Sequence, residues 1–181
     1  IIAIRLYGIG RTRRINKKRL NLITINPSED LGGTLDFSSE RARHNLQLGY
    51  YDALRTIKKY SGNYYCIIEN QPEDYFLQLF LSFSPEAVQK FAKILGLPEN
   101  IPYRRLLLEK VVPRLSDLLG LGPATSYKDI FIATLEKAAL HCKLERFRVY
   151  DFHELLDSVL ENYHISSDTI SDKIPRLLKQ S

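Results

Sequence analysis

The 181-residue sequence contains no methionine and no tryptophan, and it has only two cysteines, Cys66 and Cys142. Two distant cysteines are too few for a disulfide framework or a cysteine-based metal motif. We therefore expect both to be small buried thiols in a reducing compartment. No apolar run approaches the roughly 20 residues that span a bilayer as a helix. Hydrophobic residues make up 44% of the chain and charged residues 26%, as in an ordinary globular protein.

A start methionine and a signal peptide are also missing. The first residues, Ile1-Ile2-Ala3-Ile4, form a continuous apolar run of the kind that is buried inside a parallel sheet. A native protein would rarely begin inside a strand. The sequence is therefore expected to be a fragment of a longer protein.

Acidic residues are absent from the first 19 positions, which carry seven of the basic residues. The remaining positions hold 19 basic against 21 acidic residues, so the net charge of +5 comes from one basic patch. Most of this patch lies between two predicted strands and comprises Arg11, Arg13, Arg14, Lys17, Lys18 and Arg19.

The basic segment 11–19 has three interpretations. It is a solvated connection between strands, a contact with an anionic membrane surface, or a contact with nucleic-acid phosphates. The nucleic-acid interpretation is disfavoured because no stacking aromatics alternate with the cations and no recognition-helix pattern follows them.

The order of predicted elements indicates an α/β fold that becomes mostly helical. Residues 1–7 and 20–25 are predicted to be buried strands, and a helix capped by Ser38 or Ser39 is predicted to run to about Tyr60. A short strand is expected at 63–69, and helices follow. Their starts are expected at Ser84, which precedes Pro85, at Ser126, and at a capping box formed by Asp151 and Glu154, and a break is expected at Pro113. We divide the chain into a βα portion (1–61), a helical accessory region (62–165) and a weakly ordered polar tail (166–181).

Apolar residues at three- and four-residue spacing predict which face of the first helix is buried. Gly49 lies on this face and favours close approach of the helix to the sheet, although glycine costs helix propensity. The other members of the face are Ala42, Leu46, Tyr50, Ala53 or Leu54, and Ile57.

Several segments in this order resemble the end of the catalytic domain of bacterial patatin-like phospholipases. They are the opening residues 1–10, then Asn26-Pro27-Ser28, Leu31-Gly32-Gly33-Thr34-Leu35-Asp36-Phe37, and Leu48-Gly49-Tyr50-Tyr51-Asp52-Ala53. A weaker resemblance, to the helical extension of some bacterial members, covers Arg104-Arg105-Leu106-Leu107 and Glu145-Arg146-Phe147-Arg148-Val149-Tyr150-Asp151-Phe152.

The resemblance implies the C-terminal remnant of a three-layer α/β/α domain. Patatin-like enzymes hydrolyse acyl esters of lipids with a Ser-Asp dyad, in which the serine occupies a G-x-S-x-G elbow and the aspartate an Asp-Gly pair. This sequence contains neither motif, so no catalytic residue is assigned to any position, and no cofactor or metal is expected. The resemblance further implies a cytoplasmic location peripheral to the membrane, and as partners a lipid surface and a missing N-terminal catalytic half.

The alternative is a non-catalytic binding or regulatory module that docks to an anionic membrane or another polyanion through residues 11–19. The missing dyad and the concentrated charge both favour it.

Other candidate residues have structural interpretations. A zinc site combining His141, Cys142, Asp151 and His153 fits no standard ligand spacing. The tyrosines near the compositional seam are expected to pack the two halves together or, alternatively, to line a lipid groove; they are Tyr50, Tyr51, Tyr60, Tyr64 and Tyr65. Asp36 is expected to hold the glycine turn by accepting backbone N–H bonds.

Overall fold

The computed structural model describes residues 1–6, 21–33, 38–98, 100–122 and 125–162. These residues form a mixed α/β structure in which helices predominate, so the general α/β class is confirmed. The chain divides into two compact units. Unit 1 comprises Ile1–Ile68 and Arg146–Val149, and unit 2 comprises Glu69–Glu145 and Tyr150–Ser181.

Unit 1 contains a parallel two-stranded sheet. Strand β1 (Ile2–Ile4) pairs with β2 (Ile23–Ile25), with Ile2 opposite Ile23 and Ile4 opposite Ile25. Ladder bonds extend the pair at both ends, from Ile23 N–H to Ile1 O and from Arg5 N–H to Ile25 O, both at 2.9 Å. The predicted strands at 1–7 and 20–25 are therefore present, but each is shorter than predicted.

The burial predicted for the first strand is wrong. Ile2 is 58% exposed and Ile4 is 70% exposed, whereas Ile25 in β2 is buried. A continuous apolar run is typical of a parallel strand covered on both faces. The sequence of β1 has that composition, but its side chains remain uncovered.

Helix α1 (Ser39–Lys58) follows, with Ser38 as its N-cap as predicted. The Ser38 hydroxyl accepts a bond from Arg41 N–H at 3.3 Å, and Glu40 lies in the first turn, where the helix dipole favours an acid. The helix ends when Lys59 adopts a left-handed conformation with φ of 58°. Such a C-cap position is more often filled by glycine.

The predicted buried face of α1 is also wrong. Leu46 is 76% exposed and Tyr50 is 62% exposed, and Ala42 and Ile57 are exposed as well. The buried residues of α1 are Leu48 and Asp52. The periodic apolar stripe is therefore largely a surface of unit 1.

Strand β3 (Cys66–Ile68) lies within the strand predicted at 63–69. Tyr65, Cys66 and Ile67 are almost completely buried. Ser61 and Ile67 exchange backbone hydrogen bonds of 2.9 and 3.1 Å. This bridge closes the turn at Gly62, whose φ of 95° requires glycine or strain.

Unit 2 is built mainly from helices. Their bounds are α2 (Glu73–Leu81), α3 (Pro85–Ile94), α4 (Tyr103–Arg105), α5 (Val112–Leu118), α6 (Tyr127–His141) and α7 (Phe152–Asn162). A π-helical segment (Leu106–Val111) joins α4 to α5, and strand β4 (Val149–Asp151) precedes α7.

Three helix starts in unit 2 agree with the sequence. Ser84 caps α3 ahead of Pro85, and Ser126 caps α6 through Asp129 N–H at 3.0 Å. Asp151 and Glu154 form the predicted capping box at α7, with Asp151 N–H to Glu154 Oε2 at 3.4 Å. Helix α2, whose N-cap is Pro72 without a side-chain bond, was not predicted.

The sequence predicted a break at Pro113, but the helical run continues through that position. Pro113 lies in the first turn of α5, which continues from the preceding helical turns without a break. The irregularity lies in the preceding turns, which are π-helical from Leu106 to Val111. A widened turn before the proline relieves the clash of its ring with the carbonyl four residues earlier.

Four aromatic rings form the centre of unit 2. Phe76 contacts Phe152 at 5.5 Å and Phe131 at 5.9 Å between ring centroids, and Phe80 contacts Phe131 at 5.7 Å. All four rings are buried. Their contacts join α2, α6 and α7 into one core.

In the part of the chain that the structure describes, no helix combines the length and the apolar character needed to cross a bilayer.

Candidate functional site

Chemically distinctive residues of unit 1 gather where β2 ends and α1 passes back over the sheet. In open α/β structures, ligands bind outside the carboxyl ends of the strands. We therefore take this connection as the centre of the candidate site.

Asp52 ties α1 to the end of β2. Its side chain is almost completely buried, and the residue is only 2% exposed. One carboxylate oxygen accepts a bond from Ser28 N–H at 2.8 Å, and the other accepts one from Arg55 at 2.7 Å. Because a buried charge is costly unless paired and hydrogen-bonded, these two bonds explain how Asp52 is accommodated. The carboxylate is already engaged and fixes the turn after Pro27.

The glycine turn that follows is held by two side chains. Asp30 Oδ1 accepts a bond from Gly32 N–H at 3.1 Å, and Asn45 donates to Leu31 O at 2.9 Å. Gly32 has φ of 87°, and a Cβ there would lie 2.7 Å from the guanidinium of Arg41. Glycine is therefore favoured at position 32 by its conformation, whereas the flexible end of the Arg41 side chain could move away from an added Cβ. Asp36 was predicted to hold this turn, and it lies outside the described residues.

A charged and aromatic cluster fixes residues 146–147 to this connection. Arg146 forms an ion pair with Glu29, and His44 Nε2 lies 3.1 Å from the other oxygen of that carboxylate. The guanidinium also lies over the rings of Tyr64 and Phe147, at 5.6 and 5.5 Å from their centroids. Sequence reasoning missed this cluster because Glu29 and Arg146 are separated by 117 positions.

A groove of about 380 Å³ lies between α1 and the β1–β2 sheet. Its surface is mainly apolar, and Arg5 and Asp52 are its charged lining residues among those described. Asn45 also lines it, and the Oδ1 atom of Asn45 is buried without a hydrogen-bond partner in the described part of the chain. The main apolar lining residues are Ile4, Leu6, Ile25, Leu31 and Ala53.

Gly49 borders the groove, and its role differs from the predicted one. A Cβ built at Gly49 meets no atom within 4 Å. The glycine therefore does not permit a close approach of the helix to the sheet. It leaves open space beside the groove instead.

The six basic residues predicted to contact an anionic surface lie outside the described residues: Arg11, Arg13, Arg14, Lys17, Lys18 and Arg19. Across the described ranges, no group of three or more potential ligands is arranged to hold a metal ion. Cys66 is buried and Cys142 half-buried, and the two do not form a disulfide with each other. Burial raises the pKa of the Cys142 thiol above its ordinary value.

The predicted tyrosines differ widely in burial. Tyr65 is completely buried in unit 1. Tyr50, by contrast, is exposed and contacts Tyr51 edge-on at 5.2 Å. Tyr51 in turn contacts Phe147 at 5.7 Å and extends the cluster around Arg146.

Unit 2 contains a short chain of titratable groups. Tyr75 Oη lies 3.2 Å from His153 Nε2, and Asp151 Oδ1 lies 3.5 Å from His153 Nδ1. Asp151 Oδ1 also accepts a bond from the backbone N–H of His153 at 2.9 Å, so it caps α7. His153 and Asp151 are both exposed, and the arrangement is that of a helix cap with a surface histidine.

No protein-family model, no curated protein and no solved structure matches this chain.

Proposed function

We propose that this chain is the C-terminal part of a patatin-like serine lipid acyl hydrolase, and that residues 1–61 complete a three-layer α/β/α domain. The observation that carries the proposal is the order of segments in unit 1. A strand, Asn26-Pro27-Ser28, a double-glycine turn, a capped helix and Leu48-Gly49-Tyr50-Tyr51-Asp52-Ala53 follow one another as they do at the end of that family's catalytic domain.

The uncovered apolar surfaces of unit 1 support this proposal. Ile2 and Ile4 of β1 are exposed, and so are Leu46, Tyr50 and Ile57 of α1. Parallel sheets are almost always covered on both faces, and contiguous exposed apolar surface marks a site of interaction. Additional strands and helices of a larger α/β domain would cover these residues.

In this proposal the chain shapes the domain and supplies no nucleophile. The parent reaction is acyl transfer from a phospholipid ester to a serine, followed by transfer to water. The dyad is contributed by sequence outside these 181 residues. Asp52 joins α1 to the connection after β2, and Asp30 fixes the glycine turn that follows. The enzyme acts in the cytoplasm at a membrane surface.

The test is hydrolysis of phospholipid by the complete product of the gene that carries this sequence. We expect release of fatty acid from phosphatidylglycerol vesicles, and we expect a serine-directed fluorophosphonate to abolish that release. The gene should also encode a G-x-S-x-G and an Asp-Gly ahead of residue 1. A complete product that lacks both motifs and releases no fatty acid would refute the proposal.

A second candidate function is docking to an anionic membrane through the basic segment 11–19. The observation that favours it is the concentration of positive charge in a chain whose remainder is slightly acidic. Each cation near an anionic surface contributes about 1 kcal/mol. Sedimentation with anionic and with neutral vesicles tests it, using a variant in which Arg13, Arg14, Lys17 and Lys18 are all replaced by glutamine. Equal sedimentation of both proteins with both vesicle types would exclude this function.

A further inference from the structure

A cavity of about 360 Å³ lies within unit 2, where the start of α6 meets the π-helical segment and α5. Its volume is in the range of small-molecule sites, which are mostly apolar with a few polar groups. The exposed apolar residues of β1 and α1 do not contribute to it. The apolar part of its lining comprises Leu108, Val112, Pro113 and Ile130.

Ser116 places an unsatisfied hydroxyl at this cavity. The residue lies in α5, lines the cavity and is only 7% exposed. Its backbone carbonyl accepts a bond from Leu121 N–H at 3.0 Å, whereas its Oγ atom has no hydrogen-bond partner among the described residues. Because a buried hydroxyl without a partner is costly, this group indicates that a molecule in the cavity supplies the missing bond.

The π-helical segment provides a second acceptor. Val112 N–H bonds to Leu107 O, and the next residue, Pro113, has no N–H. The carbonyl of Leu108 is therefore left without the donor that would continue the ladder. Leu108 and Pro113 both line the cavity, and π-helical turns frequently occur at functional sites. An unpaired carbonyl at this place favours a ligand that carries N–H groups.

The charged residues of the cavity are acidic. Glu73 and Asp117 line it, and its described lining residues include no lysine, arginine or histidine. Glu73 accepts bonds from Tyr127 N–H at 2.5 Å and from Lys128 N–H at 3.3 Å, so its charge is offset by the start of α6. Asp117 is exposed in the last turn of α5, and its carboxylate has no partner among the described residues. The helix dipole also favours a cation at that end of a helix.

We propose that this cavity binds a primary ammonium group attached to a small apolar group. The ammonium pairs with the Asp117 carboxylate and donates to the Ser116 hydroxyl and the Leu108 carbonyl. The apolar group packs against Val112 and Ile130. A primary ammonium suits these acceptors because it has three donors and no acceptor. This inference is independent of the proposed function, since it involves neither an acyl ester nor a nucleophile outside the chain.

Titration of the complete 181-residue chain with phenethylamine, followed by heteronuclear NMR spectra, tests the proposal. We expect saturable binding of one molecule per chain, with a dissociation constant of about 10 mM or lower for so small a ligand. The shift changes should concentrate in α5 and the start of α6. Phenethyl alcohol, in which a hydroxyl replaces the ammonium, should bind at least about threefold more weakly.

Two variants test the polar contacts. Ser116→Ala should weaken phenethylamine binding by about threefold to tenfold, because it removes one hydrogen bond. It should melt at or above the temperature of the original protein, because alanine favours helix and no internal bond is lost. Asp117→Asn should weaken phenethylamine binding by about threefold to fivefold, as expected for an exposed ion pair, and should leave phenethyl alcohol binding unchanged.

Asp157→Asn is the matched control. It makes the same change of charge at an exposed position of α7 that does not line the cavity, and it should bind phenethylamine as the original protein does.

Absence of saturable phenethylamine binding, or equal affinity for phenethylamine and phenethyl alcohol, would overturn the proposal. An equal loss of affinity in Asp117→Asn and Asp157→Asn would overturn it as well. Should Ser116→Ala lose its helical circular dichroism, Asp117→Asn carries the test, because the position is exposed. If Asp117→Asn binds phenethylamine as tightly as the original protein does, the proposal is refuted.

Discussion

The carboxylate of Asp52 accepts a hydrogen bond from the backbone N–H of Ser28 at 2.8 Å, and so joins α1 to the turn that leaves β2. The same carboxylate pairs with Arg55 one turn later in α1. Two separate elements of unit 1 therefore depend on one buried charge.

Replacing Asp52 by alanine should destabilise the protein by about 3 kcal/mol. It leaves Ser28 N–H and the Arg55 guanidinium without their partner, and breaking a buried ion pair typically costs this much. Urea denaturation followed by circular dichroism measures the change. Asp117→Ala, at an exposed position of α5, is the control and should alter stability by less than about 0.5 kcal/mol. Equal midpoints for the two variants would show that the Asp52 bonds contribute nothing.

Two glycines should respond to alanine in opposite directions. Gly49→Ala should stabilise the protein by up to about 1 kcal/mol, because the site is helical and open. Gly32→Ala should destabilise it by about 1–3 kcal/mol, because φ is 87°. Thermal melts of both variants check the prediction. A loss of stability in Gly49→Ala would restore the close-approach interpretation of that glycine.

Arg146→Lys should cost about 1–2 kcal/mol although the charge is kept. Lysine lacks the planar guanidinium that lies over Tyr64 and Phe147 and donates to Tyr64 O. The measurement is again the free energy of unfolding in urea. Arg104→Lys, at an exposed position in α4, provides the matched control. If both lysine variants have the same free energy of unfolding, the stacking of Arg146 over the two rings does not stabilise the protein.

Cys142 should make the protein less stable at alkaline pH. Burial raises the pKa of this thiol in the folded state above the ordinary value of 9.0. As the pH rises past 9.0, the unfolded chain loses the thiol proton first, so the free energy of unfolding falls. Comparing pH 8 with pH 10, Cys142→Ala should lose less stability than the original protein. An identical loss in the two proteins would contradict the raised pKa.

Local signals in the sequence were sufficient for many of the elements. Serine before a helical run predicted the caps at Ser38, Ser84 and Ser126, because capping depends on bonds within three residues. The capping box at Asp151 and Glu154 was predicted for the same reason. Helix α2 was missed because its N-cap is a proline, which carries no side-chain acceptor.

Burial was predicted less well. An apolar pattern shows that a face can pack against another apolar surface, but it does not show whether such a surface is present. The stripe through Leu46 and Tyr50, like the run through Ile2 and Ile4, has the composition of a covered surface, yet both are exposed in this chain. These exposed surfaces support the proposal of a larger domain, which rests on the order of segments in unit 1.

Most of the candidate site could not be predicted. The bonds of Asp52 to Ser28 and of Glu29 to Arg146 join positions that are 24 and 117 residues apart, and no periodicity relates them. The groove depends on the orientation of α1 over the sheet. Gly49, which borders it, was predicted to permit close approach of the helix to the sheet, and the open space beside it contradicts that interpretation.

The central proposal is that this chain is part of a serine lipid acyl hydrolase. The most direct test is to treat the complete gene product with a fluorophosphonate and to identify the modified residue by peptide mass spectrometry. The account predicts stoichiometric modification of one serine in a G-x-S-x-G sequence ahead of residue 1, with loss of phospholipid hydrolysis. Absence of modification, or modification of a serine within the 181 residues, would contradict it.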